Sequence, residues 1–142
     1  MPTLQLTEDA FEDTITTNDI VLVDFWAEWC GPCKMFGPIF EASSDVHEDI
    51  VHAKVDTESE QGLAAAAGIS SIPTLMAFRE GILVFAQPGA LPKESLEQVV
   101  QAVKGLDMNE VRAQVEVQRA QNENDHEHEH EHEHAEGHDH QH

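Results

Sequence analysis

The sequence predicts an α/β fold in which helices flank a mixed central β-sheet. Apolar, β-branched segments of strand length alternate along the chain with segments whose apolar residues recur at helical spacing. The last two strand-like segments are separated by three residues that include a glycine, which is typical of an antiparallel hairpin. Strands that alternate with helices and then end in a hairpin and a helix favour a mixed sheet over a purely parallel one.

Three strands and two helices are predicted in the first half of the chain. Residues 4–6 form a short strand, and Thr7 is a suitable N-cap for the first helix, which opens with two acidic residues. The apolar run at residues 20–26 predicts a buried strand. Residues 34–46 then predict the second helix, and residues 50–56 alternate enough to predict a third strand.

An alanine-rich helix, a hairpin and a last helix are predicted in the second half. Residues 59–67 form the alanine-rich helix, which Gly68 should end. Residues 74–78 and 82–86 are the two strands of the hairpin. Pro92 opens the last helix, whose apolar residues recur at helical spacing: Leu96, Val99, Val100 and Val103.

The only two cysteines of the chain, Cys30 and Cys33, follow the second predicted strand. A Cys-x-x-Cys pair at this junction places the first sulfur at a helix N-terminus, where the helix dipole and unpaired N–H groups stabilise a thiolate. The spacing lets the two sulfurs close a small disulfide. We therefore expect a redox dithiol in which Cys30 is the nucleophile and Cys33, the more buried sulfur, resolves the mixed disulfide. The motif alone also occurs in zinc sites, for which two cysteines are too few here.

Four segments resemble the thioredoxin family in their order and spacing, and the likeness covers roughly residues 3–106. They are Asp24–Lys34 with the Trp-Cys-Gly-Pro-Cys motif, Ala53–Asp56, Gly68–Leu75 and Gly89–Leu91. The resemblance implies the thioredoxin fold and a protein-disulfide reductase that works through Cys30 and Cys33. It also implies that a thioredoxin reductase, drawing on NADPH, recharges the dithiol, and that oxidised proteins are the substrates. No bound cofactor is expected beyond the redox-active disulfide.

Asp24 is the predicted proton acceptor for Cys33. It lies in an otherwise apolar strand, where an ionised carboxylate is costly to bury, so a raised pKa would let it exchange protons near neutral pH. The alternative is a carboxylate that is hydrogen-bonded in the core or faces solvent at the strand end. Lys54, on the neighbouring predicted strand, is a candidate partner for Asp24. Taken alone it would be a surface lysine, and the resemblance supports the functional role.

The resemblance implies a rim on which substrate proteins dock. Pro73 would be in the cis form and lie against the cysteine pair, although a bare Ile-Pro is most often trans. The other predicted members of the rim are Trp29, Gly31, Pro32, Ile72, Gly89 and Ala90. Core or turn positions stay open as the alternative for Gly89 and Ala90. The proline between the cysteines offers no N–H to a thiolate, which favours a reductant over an oxidant.

The charge and the hydropathy of the chain limit its partners and its location. A formal net charge of −21 argues against binding to nucleic acid, whose phosphates it would repel, and favours apolar or basic partner surfaces. The first residues show no secretory signal, and no apolar run approaches the length of a membrane helix. We therefore expect a cytoplasmic monomer, in a reducing setting where two cysteines are catalytic rather than structural.

The C-terminal quarter of the chain differs from the rest in composition. We expect a thioredoxin domain at residues 1–106, an extra helix at 107–120 and a disordered His/Glu-rich tail at 121–142. Histidines in the tail alternate with glutamates and can chelate Zn²⁺, Ni²⁺ or Cu²⁺ loosely: His126, His128, His130, His132 and His134. A purification tag is the alternative origin of this repeat. No fixed, folded metal site is predicted.

The tail also supports a second functional hypothesis of another class. A thioredoxin-fold binding protein or co-chaperone could use the C-terminal extension to recruit partners or to chelate metal. The complete set of Cys30, Cys33, Asp24 and Pro73 favours the reductase.

Overall fold

The computed structural model describes residues 3–123, which divide into a unit ending at Gly105 and a unit beginning at Leu106. The first unit contains five strands and four helices. The strands are β1 (Leu4–Gln5), β2 (Ile20–Trp26), β3 (Val51–Asp56), β4 (Thr74–Arg79) and β5 (Ile82–Pro88). The helices are α1 (Glu8–Thr17), α2 (Gly31–Val46), α3 (Gln61–Ala66) and α4 (Lys93–Lys104).

The sheet is mixed, as the sequence predicts, with the strand order β1-β3-β2-β4-β5. β1 and β2 pair with β3 in parallel, whereas β4 pairs with β2 and with β5 in antiparallel fashion. Because successive side chains of a strand point to opposite faces, the central strand β2 serves two cores. Leu22 packs with Phe36 of α2 and Leu96 of α4, while Val23 packs in the cluster that contains Ile15 of α1 and Leu63 of α3.

Two helices begin at other residues than predicted, and α1 lacks the predicted cap. α3 runs from Gln61 to Ala66, shorter than the predicted 59–67. α2 begins at Gly31, three residues earlier than expected, and Cys30 is its N-cap. The early start is possible because Pro32 lies in the first turn, where a backbone N–H has no helical partner to lose. Thr7 precedes α1, but its side chain makes no capping hydrogen bond. The N–H of Glu8 is instead donated to Oε1 of Glu60, at 2.8 Å.

The predicted hairpin is confirmed, and its strands are longer than expected. Glu80 and Gly81 connect β4 to β5 with φ angles of 53° and 81°. Two successive residues with positive φ form the turn whose twist matches that of the flanking strands. The unit ends after α4, where the Arg79 guanidinium donates to the carbonyl oxygens of Val103 and Lys104, at 2.8 and 3.0 Å.

The second unit contains a helix over residues 108–123. The Asp107 carboxylate caps it by accepting hydrogen bonds from the N–H groups of Asn109 and Glu110, at 3.0 and 3.3 Å. The helix includes residues 121–123, which the sequence placed in the tail. The five predicted metal-binding histidines lie outside the described residues. Within the described range, no helix is long and apolar enough to cross a membrane.

Candidate active site

The two cysteines form a disulfide at the N-terminus of α2. Cys30 is the N-cap residue, and its Sγ accepts a hydrogen bond from the N–H of Cys33, at 3.2 Å. The sulfur thus occupies the place of the oxygen in an ordinary Ser or Asp cap. After reduction, the same N–H group and the helix dipole would stabilise a thiolate on Cys30.

Both cysteine residues are buried to a similar degree, so the expectation that Cys33 is the more buried one is wrong. Cys30 is 3% exposed and Cys33 is 5% exposed. The two cysteines pack in a small cluster with Ala27, and Ile72 packs against that cluster. The Ile72 carbonyl oxygen lies 3.6 Å from Cys30 Sγ, and this contact helps to make Cys30 as buried as Cys33.

The loop before β4 and the turn after β5 bring three predicted rim residues to the dithiol. The Ile72–Pro73 peptide bond is cis, as the resemblance implied, and Pro73 is buried. The Pro73 carbonyl oxygen accepts a hydrogen bond from the N–H of Gly89, at 2.8 Å. Gly89 has a φ of 102°, which side chains of L residues rarely adopt, so its position is a turn that requires glycine. Gly89 is therefore hydrogen-bonded to Pro73, and Ile72, which precedes Pro73, contacts Cys30.

Trp29 lies in the turn that precedes the dithiol, and 69% of it is exposed. Its indole N–H is donated to Oε1 of Glu58, at 2.5 Å. Gly31 and Pro32, also predicted rim residues, are exposed at the start of α2, and Ala90 is exposed beside Gly89. Glu58 is a partner of Trp29 that was not predicted from the sequence. Its proximity to Trp29 follows from the pairing of Trp26 with Asp56 between β2 and β3, which no local sequence pattern reveals.

Asp24 is fully enclosed in β2, with 1% of it exposed. Burial raises its pKa from 3.8 to about 7, against the opposing effect of the Lys54 charge. Among residues 3–123, neither carboxylate oxygen of Asp24 has a hydrogen-bond partner. This carboxyl group can therefore be protonated or ionised near neutral pH.

Lys54 lies directly beside Asp24 in the parallel pairing of β2 with β3. Its Nζ is 5.1 Å from the centre of the Trp26 ring, a cation–π contact, rather than hydrogen-bonded to the carboxylate. A cleft of about 260 Å³ joins the surroundings of Lys54 to those of Cys33. It is also lined by Trp26, Ala27, Glu28, Lys34, Gly37, Pro38 and Glu41.

The assembled groups suit thiol chemistry with coupled proton transfer. A disulfide at a helix N-terminus lies next to a cleft, with a lysine and a carboxyl of raised pKa on the adjoining strands. In the described part of the chain, no group of three or more His, Cys, Asp or Glu residues is arranged to hold a metal ion.

Comparison with known proteins identifies close relatives of this arrangement. A family model described as Thioredoxin matches residues 2–102. The chain is 56% identical over 119 residues to "Putative thioredoxin 2" of Streptomyces coelicolor, a match that covers 84% of this chain and 89% of that protein. It is 43% identical over 99 residues to a thioredoxin of Porphyra purpurea, covering 68% of this chain and 92% of that protein.

The fold is also similar to solved structures. A mutant thioredoxin from Halobacterium salinarum matches with a TM-score of 0.69 and 33% sequence identity. That match covers 74% of this chain and 93% of the solved one. A thioredoxin of Plasmodium falciparum matches with a TM-score of 0.66 and 33% identity, covering 70% of this chain and 98% of that one.

Proposed function

Because the chain belongs to the thioredoxin family and is a thiol-disulfide oxidoreductase with that family's fold, we propose that it acts as a reductant of disulfides in other proteins. The observation that carries the proposal is Cys30 Sγ at the N-cap of α2, 3.2 Å from the N–H of Cys33. Pro32, in the first helical turn, has no N–H to add. A thiolate with fewer donors is less stabilised, which favours a dithiol that gives its electrons away.

The proposed reaction has two exchange steps. The Cys30 thiolate attacks one sulfur of the substrate disulfide, and the other substrate sulfur leaves as a thiolate and takes up a proton. The Cys33 thiolate then attacks Cys30 Sγ, so that the intramolecular disulfide forms and the second substrate sulfur leaves. Two electrons and two protons pass to the substrate, and the Cys30–Cys33 disulfide remains.

Asp24 is proposed to accept the proton of the Cys33 thiol before the second step. Its pKa of about 7 places it near the working pH, where a general base is most effective. The cleft beside Cys33 is also lined by Lys54, the neighbour of Asp24 across β2 and β3. Lys54 is proposed to moderate the pKa of Asp24, because its positive charge favours the ionised carboxylate.

The exposed surface around the dithiol is proposed to dock the substrate protein. Trp29, Gly31, Pro32 and Gly89 are exposed, and Ile72 is half-buried and packs against the cysteines. The buried Pro73 supports this surface by accepting the N–H of Gly89. Family membership implies a thioredoxin reductase as the electron source and oxidised proteins in general as substrates. We propose that the chain works as a monomer in the cytoplasm, where its two cysteines would be kept reduced.

The test is NADPH consumption with a thioredoxin reductase and insulin as the acceptor. The unaltered chain should turn over, Cys30→Ser should not, and Cys33→Ser should stop at a mixed disulfide on Cys30 that mass spectrometry can detect. Turnover by Cys30→Ser, or a mixed disulfide on Cys33 in place of Cys30, would contradict the assigned order of attack.

A second proposed activity is loose metal binding by the tail, residues 121–142, whose alternating histidines and carboxylates suit borderline metals. Residues 1–106 would then act as an independent thioredoxin domain. A chain that ends at residue 107 should keep its reductase turnover and lose zinc binding in a calorimetric titration. If the full chain binds no zinc at micromolar concentration, the metal hypothesis fails, and with it that support for a binding protein or co-chaperone.

A further inference from the structure

The turn after β3 is fixed to the end of β2 by several hydrogen bonds. The N–H and the hydroxyl of Thr57 are both donated to the Trp26 carbonyl oxygen, at 2.9 and 3.0 Å. The Asp56 carboxylate accepts from the N–H of Glu58 at 2.9 Å and from the hydroxyl of Ser59 at 3.2 Å. The two Thr57 bonds attach the turn to the strand that leads into the dithiol, and the Asp56 bonds order the turn itself. The backbone of Glu58 therefore has a defined place.

The backbone of Glu58 is held on both sides. Its N–H is bonded to Asp56, and its carbonyl oxygen accepts from Nε2 of Gln61, at 3.1 Å. The exposed Glu58 side chain then reaches the Trp29 indole, whose N–H it accepts at 2.5 Å. A charged acceptor strengthens such a bond. A rigid turn thus presents a carboxylate to an indole that is 69% exposed.

This hydrogen bond contributes little to the stability of the fold. Both side chains are exposed, and polar contacts between exposed groups contribute little to the free energy of unfolding. Trp29 lies in a turn in which the N–H of Cys30 is donated to the Ala27 carbonyl oxygen, so its backbone is set without Glu58. The Trp29 side chain differs from its backbone in this respect: if nothing contacted the edge of the indole, the ring could change rotamer.

We propose that Glu58 is a positioning residue for substrate docking, which holds the Trp29 indole beside the dithiol through the Nε1 hydrogen bond. The inference rests on the proposed function, in which Trp29 belongs to the docking rim. An indole that is already ordered loses less conformational entropy when a substrate protein packs on it. Removal of the carboxylate should therefore weaken docking and leave the exchange chemistry of the cysteines unchanged.

The test compares Glu58→Ala with Glu58→Gln, whose amide oxygen can still accept the indole N–H. The chain has two tryptophans, so its NMR spectrum has two indole N–H resonances, and Trp29→Phe identifies the relevant one. Glu58→Ala should move this resonance to the position of a free indole and raise KM for insulin about fivefold, with kcat within twofold. Glu58→Gln should restore both. Glu12→Ala, which removes an exposed carboxylate on α1, controls for net charge.

A double-variant cycle decides whether Glu58 acts through Trp29. Trp29→Ala should raise KM at least as much as Glu58→Ala, and the double variant should be no worse than Trp29→Ala. Three outcomes would each overturn this inference but not the proposed function. They are effects of the two substitutions on KM that multiply independently, an indole resonance that does not move in Glu58→Ala, and a KM that does not change in Glu58→Ala. No turnover by the unaltered chain would overturn the proposed function, and this inference with it.

Discussion

Two buried titratable side chains, on the neighbouring strands β2 and β3, have opposite surroundings. Asp24 is 1% exposed and His52 is 3% exposed. Within the described residues, the carboxylate oxygens of Asp24 have no hydrogen-bond partner. Both ring nitrogens of His52 are bonded: Nδ1 lies 3.1 Å from the Ile50 carbonyl oxygen, and Nε2 lies 3.0 Å from the Ser43 hydroxyl.

The difference shows how the same fold allows one buried group to change its protonation near neutral pH and keeps the other in a single protonation state. A carbonyl oxygen can only accept, so the ring proton of His52 resides on Nδ1, and Nε2 accepts from Ser43. Burial lowers the pKa of His52, which therefore stays neutral in the core. Burial raises the pKa of Asp24 to about 7, and no hydrogen bond favours either form. The unsatisfied group lies on β2, the strand that leads into the dithiol.

The largest effect is expected from Asp24→Leu, a gain in the free energy of unfolding of about 4 kcal/mol above pH 7. The unfolded chain loses this proton near the ordinary pKa of 3.8, whereas the folded chain holds it up to about 7. Between these values the folded state binds more protons, so its stability falls as pH rises. Urea unfolding of the disulfide form at about pH 4 and about pH 8 measures the gain.

Asp24→Asn is the matched control, since it keeps the shape and removes the charge. It should remove the fall in stability with pH, and both variants should slow the resolution of the mixed disulfide by at least about tenfold. A gain for Asp24→Leu that is equally large at low and at high pH would assign the effect to packing instead of ionisation.

The next effect is expected from His52→Ala, a loss of about 3 kcal/mol in the free energy of unfolding. The substitution removes a ring that packs 5.0 Å from the Phe40 ring and leaves two polar partners unbonded. Reductase turnover should stay within twofold, because His52 does not line the cleft beside Cys33. Thermal or urea unfolding together with the coupled assay checks both results.

The pH dependence of His52 has the opposite sign to that of Asp24. The unfolded chain takes up this proton as pH falls through the ordinary pKa of 6.5, while the folded chain does so only at lower pH. The stability that His52 contributes is therefore lost as pH falls below about 6.5. His52→Ala should remove this loss. If the loss persists in the variant, another group causes it.

The contrast between the two groups could be predicted only in part from the sequence. Asp24 stands out as a carboxyl in an apolar run, and the strand bounds of residues 20–26 follow from that run alone. The order and type of the elements were predictable for the same reason. The position of Cys30 at a helix N-terminus was predictable from the Cys-x-x-Cys motif. The start of α2 at Gly31 was not, because Gly31 and Pro32 have low helix propensity, and only their place in the first turn makes them acceptable.

The rest depends on contacts between elements far apart in the sequence. His52 is hydrogen-bonded because α2 packs over β3 and brings Ser43 to its ring. Glu58 meets Trp29 because β2 and β3 pair in a particular register. A local sequence pattern determines neither how a helix packs on a sheet nor the register of a parallel pair. Neither contact could therefore be predicted from the sequence.

A smaller effect is expected from Ser43→Ala, a loss of about 1 kcal/mol in the free energy of unfolding. The substitution leaves Nε2 of His52 without its donor, which makes the histidine resemble Asp24 in having an unsatisfied buried atom. Ser44→Ala is the matched control, because the Ser44 hydroxyl is donated to the Glu41 carbonyl oxygen of its own helix. Equal losses in the two variants would show that the bond to His52 adds nothing specific.

The smallest effect is expected from Lys54→Met, a rise in the pKa of Asp24. The lysine charge favours the ionised carboxylate without a hydrogen bond to it, so its loss makes Asp24 hold its proton to higher pH. Carbon-13 NMR titration of the Asp24 carboxyl group measures this shift directly. The pH at which mixed-disulfide resolution is half-maximal should move upward by the same amount. Lys34→Met removes a lysine from the same cleft and should leave the titration of Asp24 unchanged, since Lys34 does not contribute to its pKa. A shift of equal size in both variants would mean that the general charge of the cleft, and not the pairing of Lys54 with Asp24 across β2 and β3, sets the protonation of the buried carboxyl group.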